Sequence, residues 1–175
     1  MVGEFKIFIS HSAKDIEQIE NIKKALRGIG VRFYLAEEDP RPGTSISKKI
    51  KEHIDSSDLF MLVMTDISLS SAYFNQEVGY AVDAEMMILP IAVGDCRPSG
   101  MIVDREYIGF DSSDEKNSRK RLREAVLEIK DEIESERYMR NAVVVLGAAV
   151  VAKYGPIALD KFANWWQNHR GKQKK

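Results

Sequence analysis

The stretch DLFMLVMT (residues 58–65) decides the fold, because its apolar residues follow one another almost without interruption. A strand that is apolar at consecutive positions, rather than at alternate ones, is expected to be buried on both faces of its sheet. Burial on both faces requires a layer of covering structure on each side. The stretch therefore predicts a strand inside a layered domain.

Strand patterns and helix patterns alternate on both sides of this stretch. Further strands are predicted at residues 6–10, 31–36, 87–94 and 107–110. Apolar residues recur at helical spacing between and after them, at Ile16, Ile19, Ile22 and Leu26, at Ile46, Ile50 and Ile54, within residues 71–84, and at Leu122, Val126, Ile129 and Ile133. This rhythm implies βαβ crossovers and predicts an α/β fold, with a parallel sheet between two helix layers.

Composition and the absence of common motifs exclude several classes of function. A formal net charge of -1 provides no overall field that would attract nucleic acid. The single cysteine, Cys96, forms no internal disulfide, and the start of the chain lacks a signal-peptide pattern, so a cytoplasmic protein is predicted. The chain has no GxxxxGK[ST], GxGxxG or GxSxG motif and no cysteine and histidine spacing typical of a metal site.

One carboxylate stands out in SSAYFNQEVGYA (residues 70–81), a predicted helix. Tyr73 and Glu77 lie one helical turn apart, so an aromatic ring and a carboxylate can face the same ligand. The alternative is that Glu77 merely faces solvent. Ser70 and Ser71 can cap this helix, and Ser12, with Asp15 three residues later, can cap the first one.

The order of motifs over residues 4–133 resembles a TIR (Toll/interleukin-1 receptor) domain. KIFISHSAKD resembles the opening strand and loop of that family, and GVRFYLAEEDPRPGTSISKKI its second strand and the long loop that follows. IDSSDLFMLVMTDISLSSAY resembles the third strand, and YFNQE has the spacing of the WxxxE motif, with Tyr73 in place of tryptophan. The resemblance implies a flavodoxin-like, three-layer α/β/α fold with a five-stranded parallel sheet.

The resemblance also implies a choice between two functions. Some TIR domains cleave NAD+ at the nicotinamide–ribose bond, and their catalytic glutamate corresponds to Glu77; NAD+ is then a substrate and no cofactor is needed. The residues that the resemblance places at the substrate, with Arg41 as a phosphate partner, are Ser10, His11, Ser12, Arg41, Gly43, Ser71 and Tyr73. Simpler interpretations stay open. Ser12 and Ser71 can cap helices, Tyr73 can be a packing residue, and Arg41 can be exposed to solvent on its loop.

The leading hypothesis is therefore an NAD+ glycohydrolase or cyclase in immune defence or cell death, activated by self-association. The first alternative is a signalling adaptor that acts only through contacts with other TIR proteins. The second is an enzyme similar to nucleoside deoxyribosyltransferases, which share the layered fold and a catalytic glutamate.

The C-terminal segment lies beyond the resemblance, so we divide the chain into a TIR domain (residues 1–136) and an apolar helical extension (residues 137–175). Residues 142–152 are wholly apolar, but Lys153 and Pro156 interrupt the run before it reaches a membrane-spanning length. Three interpretations remain: packing or oligomerisation, a membrane-inserted hairpin, or a tilted anchor with Trp165 and Trp166 at the interface. Membrane association through residues 142–166 is thus one of the expectations.

Overall fold

The computed structural model describes residues 4–35 and 45–154. Strands and helices alternate along this part of the chain. The strands are β1 (Phe5–Ser10), β2 (Val31–Tyr34), β3 (Leu59–Met64), β4 (Ile88–Val93) and β5 (Ile108–Phe110). The helices are α1 (Ile16–Ala25), α2 (Ile46–Asp55), α3 (Asp66–Leu69), α4 (Ala72–Asp83) and α5 (Glu115–Tyr154), with short 3-10 turns at Gly100–Ile102 and Ser112–Asp114.

The strands form one parallel sheet in the order β2-β1-β3-β4-β5. β3 lies in the middle, and all of its residues are buried. From β1 the chain first adds β2 on one side, and then returns to add β3, β4 and β5 on the other. The predicted flavodoxin-like sheet is confirmed, and so is the burial of residues 59–65 on both faces, whereas Asp58 is only partly buried.

One face of the sheet is covered by α2 and α4. Successive side chains of a strand point to opposite faces, so Phe8, Phe60 and Met64 lie on one face. These residues belong to a core cluster to which the two helices contribute Ile50, Ile54, Phe74, Val78 and Ala81. The rings of Phe8 and Phe60 stack within the cluster, with their centroids 5.6 Å apart.

The opposite face carries α1, as a right-handed crossover from β1 to β2 requires where the strand order later reverses. It also carries the first part of α5, which follows the last strand. Both helices bury apolar residues, among them Ile22 in α1 and Leu122 in α5. Arg123 of α5 also donates hydrogen bonds to the carbonyl oxygens of Ala25 (3.1 Å) and Arg27 (2.8 Å), just where α1 ends. The structure thus has the predicted three layers.

The loop after β1 differs from the prediction. α1 begins at Ile16 and its N-cap position is Asp15, so the predicted capping by Ser12 is wrong. The reason is that residues 12–15 form a turn, in which the backbone NH of Asp15 donates to the carbonyl of Ser12 at 2.8 Å. Asp15 is 3% exposed, and its carboxylate instead accepts a hydrogen bond from the Thr65 hydroxyl at 3.0 Å, which joins this loop to the one after β3.

The short helix α3 is a second difference, since the sequence predicted only a loop between β3 and α4. A capping box forms it: the Thr65 hydroxyl accepts from the backbone NH of Ser68 at 3.1 Å, and the Ser68 hydroxyl accepts from the backbone NH of Thr65 at 2.8 Å. A single turn is too short for apolar periodicity to indicate it.

The last helix, α5, extends well beyond the sheet strands in sequence. The chain divides into two compact units, Met1–Lys130 and Asp131–Lys175, and their boundary lies within α5. The division after residue 136 that we expected from the sequence also falls within this helix. Among the described residues, no helix combines the length and apolar character that a bilayer crossing requires. The role of the extension stays a prediction, because residues 155–175 lie outside the described part.

The aromatic stack beneath the sheet provides a test of the fold. Phe60→Ala removes a fully buried ring and leaves a cavity, and we expect it to lower the free energy of unfolding by about 3–5 kcal/mol. Urea unfolding followed by circular dichroism measures this loss. Phe60→Leu is the matched control and retains most of the volume, so its loss should be clearly smaller. Equal losses would contradict the close packing described here.

Candidate active site

Two residues far apart in sequence meet at the carboxyl end of β1. Ser10 is the last residue of that strand, and Glu77 lies in α4. The Ser10 hydroxyl donates a hydrogen bond of 2.5 Å to Oε2 of Glu77. Hydrogen bonds of hydroxyl groups to carboxylates are short and stronger than those between neutral groups. The Glu77 carboxylate is therefore tied to the edge of the sheet.

The placement of Glu77 follows from how α4 begins and packs. The Ser71 hydroxyl caps the helix by accepting from the backbone NH of Phe74 at 3.4 Å. Phe74 and Val78 are buried in the core cluster, which fixes the rotation of the helix. Tyr73 and Glu77 precede these two residues by one position each and so lie together on an adjoining face. The shared face predicted from the sequence is thus present.

A cleft lies between α2 and α4. Its lining, among the described residues, consists of Ser47, Ile50, Lys51, Tyr73, Gln76, Glu77 and Tyr80. Its volume is about 70 Å³, well below the roughly 300 Å³ at which drug-sized ligands begin to be enclosed. A ligand larger than a few atoms therefore extends beyond this cleft. Tyr73 is 63% exposed, so its ring is available at the rim.

A cation from α2 and an aromatic ring from α4 lie together in the cleft. The ammonium group of Lys51 lies 4.8 Å from the centroid of the Tyr80 ring, within the range of a cation–π contact. The Tyr80 hydroxyl in turn donates to the Asp55 carboxylate at 2.7 Å. That hydrogen bond, with desolvation and the charges of Asp55 and Asp83, raises the pKa of Tyr80 and keeps the phenol protonated. The cleft thus combines a carboxylate, a cation and two phenol rings.

A comparison of the sequence with known families now assigns the chain. The profile of a family described as TIR domain matches residues 7–127, which is more than half of the chain. This chain belongs to the TIR domain family. The matched region contains most of β1, all of β2 to β5 and both walls of the cleft. No curated protein sequence gives a significant match.

Solved structures agree with the family assignment. The TIR domain of the Toll-related receptor TRR-2 from Hydra magnipapillata is 20% identical, with a TM-score of 0.59 over 71% of this chain and 97% of that one. The TIR domains of the activated Roq1 resistosome, which recognises the effector XopQ, are 16% identical, with a TM-score of 0.51 over 71% and 98%. A TIR-STING receptor from C. gigas, solved with 2',3'-cGAMP, is 22% identical, with a TM-score of 0.53 over 66% and 38%. At these identities the likeness concerns the fold.

The structure of this TIR domain brings together three of the residues predicted at the site, Ser10, Tyr73 and Glu77. Ser71 caps α4, which was one of its two predicted roles, whereas the predicted capping of α4 by Ser70 is wrong. The Ser70 hydroxyl instead donates to the carbonyl oxygen of Asp66 at 3.0 Å, and so provides a hydrogen-bond partner for a backbone group of α3, at whose C-terminal end Ser70 lies.

The remaining predicted residues lie in two loops. After β1, Nδ1 of His11 is 3.4 Å from the carbonyl oxygen of Ile9, and the Ser12 hydroxyl is 3.4 Å from the backbone NH of Lys14. Arg41 and Gly43 lie outside the described residues. Substrate contacts of all these residues stay predictions.

Sequence reasoning missed several residues of the cleft. Lys51 and Ser47 belong to α2, and Gln76 and Tyr80 to α4. A signal was present in the spacing, since residues 73, 76, 77 and 80 form one stripe of a helix. The sequence did not predict that this stripe of α4 faces α2. That contact depends on the order in the sheet of the strands that the two helices connect.

A separate polar contact joins the segments that follow β3 and β4. The thiol of Cys96 donates to the Asp66 carboxylate at 3.3 Å. Burial raises the pKa of Cys96 to about 11, and the hydrogen bond and charge of Asp66 contribute further. The nearby Arg97 acts in the opposite direction but does not cancel these effects. Cys96 is therefore a protonated thiol that fastens two loops, and not a nucleophile.

Alkylation tests this assignment of Cys96. At pH 8 we expect the thiol of the folded protein to react with iodoacetamide about a hundredfold more slowly than in the urea-unfolded chain, because so little thiolate is present. Mass spectrometry of timed samples measures the rates. Asp66→Asn removes the charge while retaining the shape, so it should accelerate the reaction. Equal rates for folded and unfolded protein would refute the assignment.

Proposed function

We propose that this TIR domain cleaves NAD+ at the bond between nicotinamide and ribose, with Glu77 as its catalytic residue. The observation that carries the proposal is the Glu77 carboxylate, anchored by Ser10 and set in a cleft beside an exposed aromatic ring. A carboxylate held at a fixed position can stabilise positive charge that develops in a transition state. Membership of a family that includes NAD+-cleaving enzymes supports the same function.

The chemistry of NAD+ explains why one carboxylate suffices. When the bond between ribose C1' and the nicotinamide nitrogen breaks, its electron pair moves to nitrogen, and the cationic ring leaves as neutral nicotinamide. Positive charge then develops on C1' and the ring oxygen of the ribose, as in other glycosyl transfers. Glu77 stabilises this charge. Water then attacks C1' and loses a proton to give ADP-ribose, or a nitrogen of the adenine of the same molecule attacks and gives a cyclic product.

Other residues of the cleft have properties that suit the rest of the substrate. The exposed ring of Tyr73 offers a face on which nicotinamide can stack. Lys51 is the cation that the described part of the cleft presents, and we assign it to the diphosphate. Arg41, the phosphate partner expected from the sequence, is the other candidate for this role.

Self-association is part of the proposal. The cleft of about 70 Å³ that the described residues line is too small to enclose a dinucleotide, and we propose that a second copy of the domain supplies further walls. One of the similar structures comes from an activated resistosome, which supports assembly as the mode of activation. We place the activity in immune defence or cell-death signalling.

The decisive experiment measures nicotinamide release from NAD+ by the concentrated full-length chain. Glu77→Gln removes the charge and retains the shape, and we expect it to lower kcat by at least about a hundredfold. Chromatography of the products separates linear from cyclic ADP-ribose. Asp83→Asn is the matched control, because Asp83 lies on the same helix but is not among the described lining residues of the cleft. Release that survives in Glu77→Gln would end the catalytic assignment.

Binding of ADP-ribose tests the role of Lys51 without turnover. Lys51→Met removes the charge but retains the length of the side chain, and we expect the Kd for ADP-ribose to rise about tenfold. Isothermal titration calorimetry measures the Kd. Lys48→Met is the control, because Lys48 is exposed on the same helix and is not among the described residues of the cleft. Equal effects of both substitutions would indicate general electrostatics and no specific contact.

A signalling adaptor without catalysis is the second candidate. Apolar side chains exposed after β4 favour it, since Met101 is 64% and Val103 59% exposed, as expected of a surface that meets another protein. Wild-type protein that assembles but releases no nicotinamide would support the adaptor. Exchange of nucleobases without consumption of NAD+ would instead indicate an enzyme similar to nucleoside deoxyribosyltransferases.

A further inference from the structure

We infer that Ser10 is a positioning residue, whose hydroxyl holds the Glu77 carboxylate where it meets the ribose of the substrate. The inference rests on the proposed function and deepens it. It assigns Ser10 a different task from the substrate contact that the family resemblance implies.

The hydrogen bond between the two residues carries the inference. Ser10 is 1% exposed, so its side chain lies beneath the surface that a ligand would touch. Its hydroxyl donates to Oε2 of Glu77 at 2.5 Å. A serine hydroxyl has a single proton to donate, and this one is used on Glu77. Ser10 therefore acts on the substrate through the carboxylate.

The two residues differ in how firmly the fold holds them. Ser10 belongs to β1, which is paired on both sides, and it stands in register with Leu62 of the central strand. Glu77 has a long side chain with several rotatable bonds, and ordering such a side chain costs up to about 2 kcal/mol of conformational entropy. The rigid strand residue thus restricts the flexible helix residue before substrate arrives, which is how supporting residues preorganise a site.

The hydrogen bond from Ser10 does not by itself prevent the Glu77 carboxylate from acting on the substrate. A carboxylate has about four lone-pair directions on its two oxygens, and the hydrogen bond from Ser10 occupies one of them. A hydroxyl is also neutral and leaves the negative charge in place. A cation at position 10 would instead compete with the developing positive charge on the ribose.

Steady-state kinetics with Ser10→Ala tests the inference. We expect kcat for NAD+ to fall about tenfold to a hundredfold, the effect of losing one hydrogen bond to a charged group, while KM stays within about twofold. Ser10→Thr restores the hydroxyl and should recover most of the loss. The matched control is Ser118→Ala, because Ser118 is a fully buried serine bonded to the backbone of Asp111, and kcat should be unchanged.

The results separate the two roles of Ser10. A rise in KM with kcat preserved would mean that Ser10 contacts substrate and would overturn the inference. Unchanged kinetics in Ser10→Ala would overturn it as well. An equal loss of kcat in Ser118→Ala would show that any buried serine matters in this way, and would remove the special role of Ser10.

A double-mutant cycle tests the pairing independently of activity. Ser10→Ala, Glu77→Ala and the double variant are unfolded in urea beside the wild type. If the hydrogen bond is present, the double variant loses less stability than the sum of the two single losses. Additive losses would overturn the inference. A wild type that releases no nicotinamide would contradict the proposed function, while the cycle would still decide whether Ser10 holds Glu77.

Discussion

Burial of β3 on both faces is the constraint on which the rest of this structure depends. Its six residues are apolar and buried, so helices must cover the sheet above and below. Helices reach both faces when the strands are parallel and each connection crosses over the sheet. The carboxyl ends of the strands then share one edge, where loops from distant parts of the sequence meet. The position of the site is thus a consequence of how the core is buried.

Hydrogen bonds between the loops at this edge fix the positions of the loops relative to one another. Asp15 and Thr65 join the loops after β1 and β3, and Asp66 with Cys96 joins those after β3 and β4. Asp15 and Thr65 are both buried, and a buried polar group without its partner costs about 1–3 kcal/mol. In the second pair the Cys96 thiol is buried, whereas Asp66 is exposed. The loops therefore have little freedom to separate. α4 begins directly after the loop that follows β3, so fixing this loop also fixes the start of α4 and the position of Glu77.

The fold was largely predictable because it depends on patterns that repeat over many residues. All five strands are found within a residue or two of their predicted positions, since continuous apolar runs and helical periodicity each involve several side chains. Local hydrogen bonds were less predictable. Ser12 had the spacing of a cap, but the following turn delayed the helix to Ile16, and the single turn of α3 left no periodicity to read.

The site was predictable only in part, for a related reason. A resemblance to a family indicated Glu77 and Tyr73, which lie on one helix at a fixed spacing. The bond from Ser10 to Glu77 and the facing position of Lys51 connect segments that the sheet brings together, and no local pattern in the sequence records such contacts. Tyr73 illustrates the converse. It replaces the usual tryptophan of the family motif, yet because its ring is largely exposed, the change of size leaves the core packing intact. Variation is therefore tolerable at the rim of the cleft, whereas the carboxylate is held from the interior.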